Sequence, residues 1–442
     1  MSKHQFTDIR VAIEPDNPSI QRLEFKCIKC GNCKTVCTDY IGVCGTYDLK
    51  ATGDKPICIN CGQCANVCPA DSITEKIEAY QVMAEIRDED KIVIFSTSPS
   101  VRIALGEEFG MPDGSFVEGK MVALLRRLGA DYVLDTNFAA DMTIVEEASE
   151  LLQRITEGNK PLPQFTSCCP AWVKFAETYY PEMLPHISSA KSPIGMQGPT
   201  IKTYFAKKMG IDPRKIVNVA VTPCTAKKFE IRRGEMNAAG RYLGIEDMRD
   251  MDYVITTREL AMLAKDEGID FAALEDSAYD DLMGQASGAG VIFGVTGGVT
   301  EAVLRRLVED LAPAALKIDP QIIANPMQNG CVSRIRRDNR YTRDKSLYRE
   351  NMWIVLMRDK KAWDALPAFF ADFSPRGANF GMGVYHESPR LMQILRRHLE
   401  ENPEPFRRAL RQAEKAGFAL SGDRYARPKK VGLPADIDSL YN

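Results

Sequence analysis

The stretch Phe165-Thr-Ser-Cys-Cys-Pro-Ala-Trp172 decides how the rest of the chain is read. Its two adjacent cysteines, Cys168 and Cys169, cannot easily close on each other, because neighbouring Cα atoms lie about 3.8 Å apart, below the usual disulfide range. Each thiol therefore has its own task, unless the pair is simply two small buried hydrophobes. The short apolar run from Leu162 to Phe165 and the Pro170 that follows place the pair at the end of an extended segment.

Working outward, the chain from residue 90 alternates apolar runs with helical patterns, as α/β units on parallel sheets do. The predicted strands are "KIVIFST", "ADYVLDT", "LPQFTS", "VNVAVTP", "MDYVITT" and "AGVIFGV". Each ends in small or polar residues, and ligands of open parallel sheets gather at the carboxyl ends of strands. Cys168, Cys169 and Cys224 all fall at such ends. The expected fold is an α/β domain of two parallel-sheet halves around a central cleft, with a cluster-sized cofactor in that cleft.

Thirteen cysteines stand in the chain, and nine fall between Cys27 and Cys68. Cys27, Cys30, Cys33 and Cys37 follow C-x2-C-x2-C-x3-C, and Cys58, Cys61, Cys64 and Cys68 repeat the pattern ahead of Pro69. This is the spacing of a bacterial two-cluster ferredoxin, in which the fourth cysteine of each run ligates the other cluster. One [4Fe-4S] cube is thus expected on Cys27, Cys30, Cys33 and Cys68. A second is expected on Cys58, Cys61, Cys64 and Cys37, with Gly31 and Gly62 admitting backbone N–H groups to the sulfurs. A zinc ribbon has paired C-x2-C motifs without the third and fourth cysteine. Cys44 lies outside the pattern and reads as a spare thiol.

Two helical stretches carry chemistry-bearing side chains. "TIVEEASELLQRI" spaces Thr143 and Glu146 as a capping box and puts Glu147, Glu150 and Arg154 on one face, which is either a solvated charged face or a working one. In "PCTAKKFEIRR", Lys227 follows Cys224 by one turn and can project into the same cleft or lie on the surface. "SITEKIEAYQVMAEIRD" reads as a spacer helix with Ile73, Ile77, Tyr80 and Met83 on one face. "RVAIEP" reads as a short strand at most.

A chain of 442 residues with 45% hydrophobic content buries a large core over two or three domains. Its net charge of -3 points to no nucleic acid or anionic membrane partner. No run approaches 18 apolar residues, so no membrane span is expected, and an N-terminus without an apolar signal core fits a cytoplasmic protein. Cysteines in that compartment mean metal or redox chemistry rather than disulfides. The expected divisions are an extension over 1–24, the ferredoxin-like domain over 25–77, a catalytic domain over 78–305 and a mainly helical region over 306–442. From Pro326 onward, 22 Lys and Arg stand against 14 Asp and Glu. There "WDALPAFFADF" and "PRLMQILRRHLEENPEPFRRALRQAEKAGF" read as amphipathic helices that cover or dock.

Residues 25 to about 305 resemble an [FeFe] hydrogenase of the compact kind with a two-cluster ferredoxin module. "TSCCPAW" is similar to the family's first signature, "TPCTAKKFE" to its second, and "SGAGVIFGVTGGVTEA" to the stretch leading toward its third. The resemblance implies that Cys169 and Cys224 ligate the [4Fe-4S] half of an H-cluster and that Cys168 is the thiol relaying protons to its diiron unit. It implies a proton path through Ser188, Glu150, Glu147 and Arg154. Lys227 would hydrogen-bond one iron-bound cyanide, Pro99 and Ser100 would cradle the other, and Phe293 would wall the pocket. Ferredoxin or a similar carrier would supply electrons, and maturation proteins would install the diiron unit. The reaction implied is reversible proton reduction to H2.

The departures are specific. Thr222 stands where the second signature often has Met, and Ile194 where a Gln often follows Ser-Pro. No Cys-x3-Cys with its glycine-rich run follows Cys224, and the only later cysteine is Cys331. Three readings follow. In the first, a working hydrogenase replaces the missing signature with Cys331 or an oxygen or nitrogen ligand. The second is a catalytically inactive electron-transfer or redox-sensing relative, with Cys168, Cys169, Cys224 and Cys331 on one plain third [4Fe-4S] cluster. The third is a partner-binding scaffold.

Overall fold

The computed structural model of the chain describes residues 8–44, 52–53, 56–280, 284–327, 330–337, 346–359, 366–384, 388–422, 434 and 436–438. It divides into two units, Met1–Val303 and Leu304–Asn442, and the boundary falls within the helix Gly298–Ile318.

The first unit begins with a small cysteine-rich module. Strands β1 (Ile20–Arg22) and β2 (Ile73–Glu75) pair antiparallel, Ile20 opposite Glu75. Between them lie two one-turn helices, Asn32–Thr35 and Gln63–Asn66, each entered through a left-handed glycine, Gly31 at φ 86° and Gly62 at φ 74°. Only glycine adopts that backbone freely. The module's apolar heart is Val11, Ile20, Cys64 and Ile73.

Strands β3 (Ile92–Thr97), β4 (Tyr132–Asp135), β5 (Ile216–Val221) and β6 (Tyr253–Ile255) then form one parallel sheet in the order β4-β3-β5-β6. Phe95 stands opposite Val133 and Val219, and Val221 opposite Ile255. Both faces are covered, so the strands read as near-continuous apolar runs, with the buried Asn218 inside β5 donating to the carbonyls of Gly198 and Asp250. Val93, Phe95, Val133, Val219 and Val221 point into a core shared with the helices Ala79–Ile86, Glu118–Leu128 and Thr257–Asp266. Ile94, Leu134 and Ile216 pack on the other side against Ile201 and Phe205. Thr256 starts the helix after β6 with a capping box to Glu259.

Several expected elements change. "LPQFTS" is no strand: Phe165 makes a single parallel bridge to Ile187, and Pro161 and Pro163 offer no N–H with which to extend a ladder. "AGVIFGV" is the helix Gly288–Phe293, capped by Ser287, whose hydroxyl accepts from the Ala289 amide at 3.1 Å. A short apolar run carries no period that separates helix from buried strand. The described residues therefore hold one parallel sheet. The stretch 73–86 splits into β2 and the helix Ala79–Ile86, leaving Tyr80 exposed. "RVAIEP" is irregular. The Glu147 helix runs over Asn137–Glu157, so Thr143 is inside it and donates to Ala139 O at 3.1 Å instead of capping.

In the second unit, β7 (Met352–Leu356), β8 (Ala368–Ser374) and β9 (Gly377–Gly383) form an antiparallel sheet in that order. The expected helix over "WDALPAFFADF" thus gives way to a strand over its described residues. Met352, Ile354 and Leu356 face Phe373, Ala371 and Phe369 across the ladder, an alternation only a strand can use. The helices Pro389–Glu401 and Glu404–Lys415 follow as expected.

Candidate functional site

The eight patterned cysteines line two recesses. One is bordered by Cys27, Cys30, Cys33 and Cys68, with Gly31 and Ile73. The other is bordered by Cys37, Cys58, Cys61 and Cys64, with Val11 and Ile20. Each recess therefore gathers three sulfurs of one run and the last of the other. Among the described residues no three Cys, His, Asp or Glu side chains close around a single ion; thiolates on the corners of a cube stand farther apart than ligands of one metal. Backbone N–H groups aim at the sulfurs: Val11 at Cys33 (3.5 Å), Asn60 at Cys58 (3.3 Å) and Ser72 at Cys68 (3.3 Å). Burial pushes the Cys58 thiol up to about 11 and Cys64 to about 12, so iron binding must displace their protons. Cys44 is buried, its thiol hydrogen-bonded with that of Cys37.

At the carboxyl end of β5, Cys224 precedes the one-turn helix Ala226–Glu230. Cys169 is the residue before the helix Pro170–Tyr179, whose first position is the proline. Lys227 joins the two segments: its Nζ donates to the Cys168 carbonyl at 2.9 Å and to Glu230 at 2.7 Å. Burial raises the Cys168 thiol to about 12 against the pull of Lys227. Burial raises Cys224 as well, again opposed by Lys227. Cys169 is exposed.

The glutamate face is not a solvated one. Glu147 is wholly buried; its Oε1 accepts from the Ser167 amide at 3.2 Å and hydroxyl at 3.5 Å, and its Oε2 has no hydrogen-bond partner. Burial holds this carboxyl at about 7. Three residues on, Glu150 behaves oppositely. Burial would raise it, yet Lys160 and Arg154, each 2.8 Å from Oε1, and the Ser188 hydroxyl and Ser189 amide on Oε2 bring it to about 2. Arg154 is anchored by the carbonyls of Pro161, Pro185 and Ile187. Ser188 donates to Glu150 at 2.9 Å. Outside Glu150 lies an open polar basin bordered by Glu146, Ser149, Asn159, Lys160 and Ser189.

The sequence reading missed Ser167, Ser189 and Lys160. Ser167 was visible as the neighbour of Cys168; Lys160 follows the helix end with no periodic signal. Pro99 and the region of Phe293 are brought together, since a side chain built on Gly294 would lie 2.9 Å from Pro99 Cγ. Arg102 donates to the Pro99 carbonyl at 3.2 Å, and Ser100 opens the following helical turn. Cys331 belongs to the second unit, where it is buried and its thiol donates to Ile323 O at 3.3 Å.

Residues 91–335, more than half of the chain, match the family described as iron only hydrogenase large subunit, C-terminal domain. Residues 53–74 match a 4Fe-4S binding domain, and residues 299–440 match a conserved hypothetical protein family, DUF2461. The chain is 52% identical over 226 residues to the periplasmic [Fe] hydrogenase large subunit of Nitratidesulfovibrio vulgaris, covering 51% of this chain and 52% of that one. It is 33% identical over 231 residues to cytosolic iron-sulfur assembly component 3 of Bos taurus, covering 51% and 47%. Among solved structures, a variant of the apo [FeFe]-hydrogenase from Chlamydomonas reinhardtii aligns with a TM-score of 0.50 and 36% identity, over 65% of this chain and 67% of that one. The chain spans about half the length of the curated relatives it matches. No described helix is long and apolar enough to cross a membrane.

Proposed function

The chain belongs to the iron-only hydrogenase family, and from that premise we propose that it is a cytoplasmic oxidoreductase interconverting protons and H2, with ferredoxin or a similar carrier as electron partner. In this reading the carboxyl end of the four-stranded sheet faces the cleft that receives the cluster. The two recesses hold one [4Fe-4S] cube each. Cys169 and Cys224 hold two corners of the H-cluster's own cube.

The donor set of unit one fits such a group: two thiols, a lysine between them, and a buried carboxyl oxygen with nothing to bond. When bound, the cluster supplies the low-potential iron on which hydrogen chemistry runs. The residues supply protons and exclude water. Arg154 orients Glu150 toward Ser188, and Glu147, near neutral pH half protonated, can give or take a proton beside Ser167 and Cys168. Lys227 fixes the Cys168 backbone and offers a positive charge to an anionic ligand. The observation that carries the reading is Glu147, a fully buried carboxyl hydrogen-bonded to the residue before Cys168.

A second reading, an electron-transfer or redox-sensing protein carrying cubes alone, rests on one observation: the hydrogenase match stops at residue 335 and a different family matches 299–440. An infrared spectrum of protein made anaerobically with the hydrogenase maturation proteins separates the two. Iron-carbonyl and cyanide bands support the first; a blank region with iron enough only for cubes supports the second.

A further inference from the structure

Asn60, between the ligand candidates Cys58 and Cys61, is the most constrained residue of the cysteine-rich module. It is wholly buried and holds φ at 65°, a left-handed backbone that residues other than glycine seldom adopt. Every one of its polar groups is engaged. Its N–H donates to Cys58 Sγ at 3.3 Å, its Nδ2 to Asn17 Oδ1 at 3.0 Å, and its Oδ1 accepts from Lys174 Nζ at 2.8 Å. Its carbonyl accepts from the Thr225 hydroxyl at 2.7 Å. Thr225 directly follows Cys224. The approach is so close that a side chain built on Gly62 would meet Thr225 Oγ1 at 2.6 Å. Tyr179 seals the same loop from the side, its hydroxyl 2.9 Å from both the amide and the carbonyl of Ile57.

Lys29 holds the same left-handed backbone, φ 57°, at the matching place of the first run, so what sets Asn60 apart is its set of partners. Those partners fix two things at once: an N–H on one sulfur, and the separation of the Cys58–Cys61 loop from the Cys224 loop. We infer that Asn60 is the positioning residue of the electron junction between the module and the cleft, with the Thr225 hydroxyl as its contact on the cleft side. The inference rests on the functional reading above. A single electron, supplied by an external one-electron carrier, passes from the Cys37–Cys58–Cys61–Cys64 side to the Cys169–Cys224 side, with no bond made and no proton moved. Hydrogen bonds to cluster sulfurs tune reduction potential. The Thr225 hydroxyl, by bonding the Asn60 carbonyl, holds the turn that aims the Asn60 N–H at Cys58 Sγ.

The test uses the full chain reconstituted with iron and sulfide only, so it does not depend on a diiron unit. Potentials come from titrations followed by paramagnetic resonance, and electron redistribution from flash reduction. Thr225→Val keeps the volume and removes the hydroxyl. It is expected to bind wild-type iron, lower the potential of one module cube and leave the other in place, and slow redistribution to the cleft at least tenfold. Asn60→Leu is expected to do the same, and Asn60→Gly, which keeps the left-handed backbone and both main-chain bonds, to restore the potential. Unchanged potentials and rate in Thr225→Val would overturn the inference, as would loss of its cubes or an Asn60→Gly no better than Asn60→Leu. A wild-type chain that takes up no cubes overturns the functional reading itself; cubes whose potentials ignore these substitutions overturn the junction alone.

Discussion

Lys228 and Glu259 form an ion pair 2.7 Å long in which neither side chain reaches solvent. The lysine also donates to the Lys76 carbonyl at 2.7 Å, and Glu259 accepts the amides of Thr256 (2.8 Å), Glu78 and Ala79. Lys227 and Lys228 are neighbours on one short helix, yet one bonds the Cys168 carbonyl and Glu230 and the other ties the segment leaving the cysteine-rich module to the end of β6. Removing one partner of such a pair strands a buried charge, at a cost of about 3–5 kcal/mol. Lys228→Ala should therefore lower the thermal midpoint strongly. Lys228→Met with Glu259→Gln should recover much of the loss. A single variant as stable as wild type in urea unfolding would refute the pairing.

Glu147 and Glu150 should give the apo protein opposite pH dependences. Glu147 is raised from 4.5 to about 7 on folding, so the folded chain holds the extra proton and stability falls as pH rises from 4.5 through 7. Glu150 is lowered from 4.5 to about 2, so its contribution is full above 4.5 and is lost as pH falls toward 2. Glu147→Gln should flatten the thermal midpoint between pH 5 and 7.5, and Glu150→Gln should flatten it below pH 4.5. Exchange of the two effects would reverse the assignment.

Much of this was legible in the sequence for a physical reason: cysteine spacing is local, and β3 and β5 are buried on both faces, so their runs are mostly apolar, interrupted inside β5 by Asn218 alone. What was not legible depends on partners distant in the chain. Thr143 and Glu146 have capping spacing, but the helix begins at Asn137, whose amide bonds Asp135 Oδ1 at 3.0 Å. Phe369, Ala371 and Phe373 show a period of two that declares itself only against β7. The glutamate face has one sequence pattern whether solvated or buried, and the carbonyls of Pro161, Pro185 and Ile187, distant in the chain, are what close over Arg154.

Cys168 and Lys227 should separate catalysis from assembly. On the proposed hydrogenase reading, Cys168→Ala removes a thiol that holds no metal, so iron content should stay near wild type while H2 turnover in matured protein falls by at least about a hundredfold, the scale of a lost proton relay. Lys227→Ala frees the Cys168 carbonyl and Glu230 together and should reduce retention of the diiron unit, read as weaker infrared bands at equal cubane content. Turnover near wild type in the first, or undiminished bands in the second, would remove that residue from the site.

The crossed arrangement of the two recesses makes the sharpest prediction about metal. Cys68 belongs by sequence to the second run but borders the recess of Cys27, Cys30 and Cys33, and Cys37 makes the reciprocal exchange. Replacing the last cysteine of one run should thus perturb the cube built on the other. Cys37→Ser and Cys58→Ser should alter the same paramagnetic signal of the reduced, reconstituted chain, and Cys68→Ser and Cys27→Ser should alter the other. Cys44 is hydrogen-bonded to Cys37 and could step in as a substitute ligand, so Cys37→Ser is best measured with Cys44→Ala as well. Signals that pair Cys37 with Cys27 instead would mean that each run holds its own cube, and the ligand sets proposed for both recesses would have to be redrawn.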